Sequence, residues 1–183
     1  MKPTSAVDTA VSKPEVETQL GFFGPPKMVT ALSHNEIIKL IYSYAVDKGY
    51  DVHIGETEQN KEPKFKKISR QMNSHMEFGL PPDVFDAVAE IDVLLLKGSA
   101  ITHAFEVATT VETANKAVND RYRNMFIAMP SLNIKACLIV KDKDADKAHQ
   151  LVYSMANVKD GISKRVSIVH LSDLTEEKFQ RLV

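Results

Sequence analysis

The sequence predicts an α/β domain built on a mixed sheet that is flanked by helices. Helical and strand-like segments follow one another in the order α, β, β-hairpin, α, β, α, β, α. Strands that alternate with helices run parallel, because each helix carries the chain back across a face of the sheet. The apolar run "IKACLIV" is typical of a strand that is buried on both faces. The expected core is therefore αβββαβ, with an extra strand and helix at the C-terminal side.

The first helix is expected over about residues 34 to 48. Ser33 followed by Glu36 forms a capping box, in which each side chain satisfies an exposed backbone N–H group. Gly49 suits the left-handed conformation that often ends a helix. The segment "YDVHI" then predicts a short strand, and residues 55 to 75 predict a polar, turn-rich connection.

A β-hairpin is expected in "IDVLLLKGSAITHAFEVATT", with its turn at Lys97-Gly98-Ser99. Side chains alternate between the two faces along a strand. One face is expected to carry Ile101, His103, Phe105 and Val107, and the other Thr102, Ala104, Glu106 and Ala108.

The remaining elements alternate between helix and strand. The segment "GLPPDVFDAVAE" predicts a loop with a short turn or helix before the hairpin. After the hairpin come a helix of four or five turns in "VETANKAVNDRYRNMFIAM", ended by Pro130, and then the strand "IKACLIV". A helix in "DADKAHQLVYSMAN", a strand in "KRVSIVHL" and a helix in "DLTEEKFQRLV" complete the domain, with Ser172 or Thr175 as the cap of the last helix.

Length and composition predict one globular domain. The 183 residues fit a single domain over residues 31–183, preceded by a flexible arm over residues 1–30. Within that arm, "GFFGPP" is a candidate contact of a homodimer. The single cysteine, Cys137, lies in an apolar run and is expected to be a buried, inert thiol. A chain without disulfides and without a long apolar stretch predicts a cytoplasmic protein that does not enter a membrane.

Two acidic residues stand out, because strand-like apolar runs have no structural need for a carboxylate. Asp92 begins "DVLLL", and Glu106 lies inside "AFEVATT". The two ends of a hairpin meet, so these carboxylates can approach each other at its open end. A divalent cation such as Mg²⁺ offsets the cost of burying two like charges. The alternatives left open are structural: Asp92 caps the start of the strand or pairs with Arg121 or Lys116, and Glu106 forms a salt bridge at the sheet edge.

The segments "HNEIIKLIYSYAVDKGYDV", "IDVLLLKGSAITHAFEVATT", Arg121 with Asn124-Met125, and "PSLNIKACLIV" together resemble the restriction-endonuclease-like domains of the PD-(D/E)xK superfamily. The resemblance covers about residues 33 to 155. It implies a restriction-endonuclease-like mixed sheet and Mg²⁺-dependent hydrolysis of DNA, with Mn²⁺ as the alternative ion. It further implies Asp92 and Glu106 as metal ligands and Glu36 as a third acid of the site. His34 is either a residue of the same cleft or a solvated residue in the first turn of the helix.

The same resemblance implies phosphate contacts from Thr109, Thr110 and Arg121. Glu36 is also the capping residue, and one carboxylate can hardly fill both roles. A local basic stretch, with Lys64, Lys66, Lys67 and Arg70, is a candidate for contacts with DNA, or else a solvated loop.

The sequence departs from the superfamily pattern at its third catalytic position, where Ala108 replaces a lysine, glutamate or glutamine. Lys116, in the following helix, could replace that group as a catalytic residue, and Glu112 is a further candidate. The leading hypothesis is a metal-dependent endonuclease. The alternatives are an inactive module of the same fold that binds DNA or serves in assembly, and an unrelated α/β protein with a ligand pocket. The net charge of -1 argues only against binding nucleic acid through bulk charge.

Overall fold

The structure is a computed structural model that describes residues 32–183. Its five strands form one mixed sheet in the order β1-β2-β3-β4-β5. The first three strands are antiparallel neighbours, and the last three run parallel. This arrangement confirms the α/β class and the mixed sheet. The predicted arm over residues 1–30, with "GFFGPP", lies outside the described residues.

The helices lie on both faces of this sheet. The strands are β1 Asp51–Ile54, β2 Val93–Lys97, β3 Ala100–Ala108, β4 Lys135–Val140 and β5 Val166–His170. The helices are α1 His34–Asp47, α2 Glu56–Lys61, α3 Pro63–Ile68, α4 Pro82–Ala89, α5 Val111–Lys116, α6 Arg123–Ala128, α7 Ala145–Val152, α8 Met155–Lys159 and α9 Glu176–Leu182. One core cluster packs α4 to α7 against the sheet, and the other packs α1, α3 and α9 against the opposite face. None of the helices within residues 32–183 combines the length and apolarity that crossing a membrane requires.

The start of α1 confirms the predicted capping box. The Ser33 side chain accepts a hydrogen bond from the Glu36 N–H, and the Glu36 side chain accepts one from the Ser33 N–H at 2.8 Å. Beyond the end of the helix Gly49 has a φ of 77°, which is the left-handed conformation expected there. These contacts fix where α1 begins, and therefore where His34 lies.

The hairpin of β2 and β3 forms as predicted, with Gly98 at a φ of 61° in the turn. The predicted face of Ile101 is wrong. The register shifts between Leu95 and Leu96, which pair with His103 and Ile101, so Thr102 is the extra residue of a β-bulge. Ile101 therefore joins the core cluster opposite to that of Phe105.

Residues 55 to 75 are more regular than the predicted turn-rich connection. They contain α2 and α3, which meet at Glu62. Glu56 and Glu58 in the first turn of α2 and Lys61 in its last turn interact favourably with the helix dipole. Pro63 suits the first turn of α3, where no backbone N–H is needed. The buried side chain of Phe65 anchors α3 to the core. Local helix signals and one apolar anchor thus order a segment of high polarity.

The long helix after the hairpin contains a deviation that no sequence pattern indicated. Between α5 and α6 the backbone forms a π-helical segment, Ala117–Tyr122, whose hydrogen bonds span five residues instead of four. The predicted helix in "DADKAHQLVYSMAN" is likewise divided, into α7 and α8 at Tyr153 and Ser154. The last helix, α9, is capped by Thr175, whose side chain accepts from Lys178 N–H.

Candidate active site

The structure brings Asp92 and Glu106 together at the open end of the hairpin. Val93 pairs with Phe105 across the strands, so Asp92 immediately before β2 lies beside Glu106 on β3. Only 5% of Asp92 and 4% of Glu106 is exposed to solvent. The carboxylate of Asp92 also accepts a hydrogen bond from Val107 N–H at 2.8 Å, which fixes its orientation. Two buried carboxylates therefore meet beside a central strand.

Arg121 binds one of these two carboxylates directly. Its Nη1 lies 2.8 Å from Oε1 and 2.9 Å from Oε2 of Glu106, and 4.0 Å from Oδ1 of Asp92. The π-helical segment places this guanidinium over the acid pair. Burial and the negative charge of Asp92 raise the pKa of the Glu106 carboxyl, and Arg121 opposes that rise. Glu106 is thus engaged by a protein cation, which is one of the alternatives that the sequence left open.

His34 joins Asp92 to a third acid, Glu58. Its Nε2 lies 3.1 Å from Asp92 Oδ2, and its Nδ1 lies 3.6 Å from Glu58 Oε2. Glu58 is 5% exposed and also binds Lys61, whose Nζ lies 2.8 Å from its Oε1. Burial lowers the pKa of His34, but the hydrogen bond that its ring donates to Asp92 and the charges of Asp92 and Glu58 outweigh it, so the pKa of His34 is raised above its ordinary value. Two buried carboxylates hold this imidazole from either side.

The donor atoms of His34, Glu58 and Asp92 fit a divalent cation. One ligand atom from each residue lies within 4.8 Å of the other two. One nitrogen and two carboxylate oxygens suit Mn²⁺ or Zn²⁺ better than Mg²⁺, which prefers oxygen ligands alone. Glu36, expected from the family resemblance, is occupied instead by the Ser33 cap. Glu106 is occupied by Arg121, so the ligand set differs from the expected one while keeping Asp92.

A small pocket of about 80 Å³ adjoins His34 on the side where β3 and β4 end. Ala108 pairs with Val140 across these parallel strands, so Lys141 follows one position beyond Ala108, at the level of Thr109. The polar residues that line the pocket are Ser33, His34, Thr109 and Lys141. A hydroxyl-bearing and cationic lining beside a candidate metal centre can receive a phosphate oxygen. The end of the neighbouring strand thus supplies a lysine to the same pocket that Ala108 lines.

Three further residues that were predicted for the site are not part of this centre. Lys116 is exposed in the last turn of α5 and does not line the pocket beside His34. Thr110 caps α5 by accepting a hydrogen bond from Thr113 N–H. Arg70 binds Asp51, Glu77 and the carbonyl of Gly98, and so belongs to the turn end of the hairpin.

The predicted basic stretch lies near the acids. Lys64, Lys66 and Lys67 are exposed on α3, which packs against the helix that carries Glu58. Within residues 32–183 these lysines form no ion pair, whereas Arg70 forms two. The structure therefore separates the predicted basic residues into three lysines on the helix that follows α2 and one arginine at the turn end of the hairpin.

Two residues of the site were missed by sequence reasoning. Glu58 lies in the segment predicted to be a turn-rich connection. Several other charged residues surround it there, so nothing in the sequence marked it as a site residue. Lys141 immediately follows the apolar run of β4, and a charge at the carboxyl end of a strand beside Ala108 is a signal that could have found it. Both depend on contacts between segments far apart in the chain.

No protein-family model matches this chain, and neither curated proteins nor solved structures gave a match when they were compared with it. The resemblance to restriction-endonuclease-like domains therefore stays a prediction.

Proposed function

We propose that the protein is a divalent-metal-dependent endonuclease of the restriction-endonuclease-like class that hydrolyses phosphodiester bonds of DNA. The observation that carries this proposal is the cluster of half-buried His34 with the buried acids Glu58 and Asp92, whose donor atoms converge at the open end of the hairpin. Buried acids are costly unless they are paired or bind a cation. A bound cation would polarise a phosphate and lower the pKa of a water molecule.

The chain's own residues supply the remaining roles. Lys141 and Thr109 contact the phosphate in the pocket beside His34, and Lys141 stabilises the negative charge that develops during hydrolysis. The exposed lysines of α3 hold the DNA backbone. Arg121 holds Glu106 in place and, through Glu106, keeps the acid pair ordered. Because Lys141 takes the role of the missing group, this site needs no catalytic side chain at position 108.

The test is cleavage of plasmid, single-stranded and branched DNA with Mn²⁺, with Mg²⁺ and with a chelator. Cleavage is expected with Mn²⁺ at a higher rate than with Mg²⁺, because one donor is a nitrogen. Glu58→Gln removes a charged ligand and is expected to weaken Mn²⁺ binding, followed by calorimetry, at least tenfold. Glu56→Gln is the matched control, since Glu56 lies two residues earlier on α2 and is exposed. Equal Mn²⁺ affinity in both variants would contradict the cluster as a metal site.

Lys141→Ala tests the lysine that we assign to the phosphate. We expect its cleavage rate to fall about a hundredfold with unchanged Mn²⁺ affinity, because loss of one group that stabilises transition-state charge typically costs about that factor. Lys116→Ala is the matched control, and we expect it to retain the wild-type rate. The opposite pattern, with Lys116→Ala inactive and Lys141→Ala active, would return the catalytic role to Lys116.

A second candidate function, a non-catalytic DNA-binding or assembly module of the same fold, is favoured by one contact. Arg121 already neutralises Glu106 and lies 4.0 Å from Asp92, so a protein cation serves part of the purpose of a metal ion. A module of this kind binds DNA in a salt-sensitive manner with and without Mn²⁺ and cleaves none of the three substrates. The cleavage assay above therefore separates the two functions directly.

A further inference from the structure

A second pocket, of about 240 Å³, lies between the sheet and α9. It is lined on its polar side by His103, Lys135, Ser167 and Arg181, and on its apolar side by Phe105, Ala136, Cys137 and Leu182. None of the residues of the candidate metal centre lines it. The pocket is many times larger than the roughly 10–15 Å³ that one water molecule needs. It is therefore a separate cavity with room for a small organic molecule.

One buried polar atom of the pocket lacks a partner. His103 is 7% exposed, and within residues 32–183 its Nε2 makes no hydrogen bond. A buried polar group left without a hydrogen bond costs about 1–3 kcal/mol, and such groups in folded proteins call for an explanation. A ligand in the pocket that His103 lines would provide the missing bond.

The hydrogen bonds on the other side of the ring determine what Nε2 can do. The Thr102 hydroxyl donates to the carbonyl of Leu95 at 3.0 Å, so its oxygen is an acceptor toward His103 Nδ1, which lies 3.0 Å away. Nδ1 therefore carries the proton, and in the neutral ring Nε2 is an acceptor. Burial, together with the charges of Lys135 and Lys97, lowers the pKa of His103 to about 4. At neutral pH the ligand must donate a hydrogen bond to Nε2.

The cations of the pocket determine the rest of the ligand. Lys135 and Arg181 are exposed at the mouth, and both favour an anionic group. Arg181 also binds Glu177, four residues earlier on α9, but both side chains are about three-quarters exposed. Exposed ion pairs contribute only about 0–1 kcal/mol, so an incoming anion can share the guanidinium at small cost.

We propose that this pocket binds a small organic anion that also carries a hydroxyl group, such as a sugar phosphate. The anion contacts Lys135 and Arg181, and the hydroxyl donates to His103 Nε2. This site is independent of the proposed nuclease activity, because the two share no lining residue.

The probe is ribose 5-phosphate, which carries both groups, and its parts are ribose and inorganic phosphate. We expect calorimetry to show ribose 5-phosphate binding at least tenfold more tightly than either part. In the NMR spectrum, the ring signals of His103 are expected to shift more on binding than those of His53 and His75. Lys135→Gln and Arg181→Gln are each expected to weaken binding about fivefold to tenfold. Lys147→Gln, on α7 and outside the pocket, is the matched control and is expected to bind as the wild type does.

His103→Phe separates the ligand role from a structural one. It removes the acceptor and keeps a planar ring, so the preference for ribose 5-phosphate over phosphate is expected to disappear while phosphate still binds. If this variant does not fold, the two exposed cation variants decide the question alone. Absence of binding by ribose 5-phosphate at 10 mM, or an equal effect of Lys147→Gln and Lys135→Gln, would overturn the proposal.

Discussion

Asp92→Asn is expected to abolish metal-dependent cleavage. Asp92 contacts His34, lies near Arg121 and provides one of the three converging donor atoms. Replacing its charged oxygen by an amide removes a metal ligand but keeps the side-chain volume. Metal ions contribute several kcal/mol to the stabilisation of a transition state, and about 4 kcal/mol corresponds to a thousandfold in rate. We therefore expect the cleavage rate to fall by about three orders of magnitude, together with Mn²⁺ affinity.

The substitution is chosen so that loss of folding does not imitate loss of function. The amide oxygen of asparagine can still accept the hydrogen bond from Val107 N–H that Asp92 accepts at 2.8 Å. The melting temperature is measured alongside the rate. Asp83→Asn, which changes an exposed acid in the first turn of α4, is the matched control. Cleavage at the wild-type rate by Asp92→Asn would exclude this carboxylate from the catalytic site.

Arg121→Met is expected to cause the largest loss of stability of any single substitution considered. Arg121 is bound to both oxygens of Glu106, whose side chain is 6% exposed. Removal of one partner of a buried ion pair leaves an uncompensated charge and costs about 3–5 kcal/mol. The free energy of unfolding, measured with urea, is expected to fall by that amount with an unchanged dependence on denaturant.

Two further variants identify the cause of this loss. Glu106→Leu combined with Arg121→Met removes both charges, so it is expected to lose less than half as much stability as Arg121→Met alone. Arg181→Met is the control for an exposed ion pair. The side chains of Arg181 and its partner Glu177 are both about three-quarters exposed, so a loss below about 1 kcal/mol is expected. Equal losses in Arg121→Met and Arg181→Met would show that burial of the Glu106 pair contributes nothing.

Local patterns predicted those elements whose signals lie close together in the chain. The capping box of Ser33 and Glu36, the glycine of the hairpin turn and the apolar run of β4 each depend on a few neighbouring residues, and all three were confirmed. The approach of Asp92 to Glu106 was also predictable, because a hairpin fixes which residues face each other. The sheet follows from the same elements once helices alternate with strands.

The rest of the site depends on contacts that the sequence does not encode locally. Glu58 and His34 meet across segments whose spatial relation is set by packing of α1 and α2 around the sheet. The β-bulge at Thr102 places Ile101 on the face opposite to the predicted one. One additional residue in a strand moves the side chains that precede it to the other face of the sheet. The choice of Arg121 as partner of Glu106 likewise required the π-helical segment, which no periodicity in "ANKAVNDRYR" indicated.

The π-helical segment Ala117–Tyr122 has a consequence for how this helix can vary. An α-helix turns through about 100° per residue, and a π-helical turn accommodates one additional residue, so the segment sets the angular phase of all that follows it. That one phase directs Arg121 toward Glu106 and directs Tyr122 and Met125 into the core. Deletion of one residue in a regular α-helical turn would rotate all that follows by about 100°, but deletion of one residue here would let the segment return to α-helical hydrogen bonding and leave that phase unchanged. The helix therefore has one place where its length can change by a residue while Met125 stays in the core.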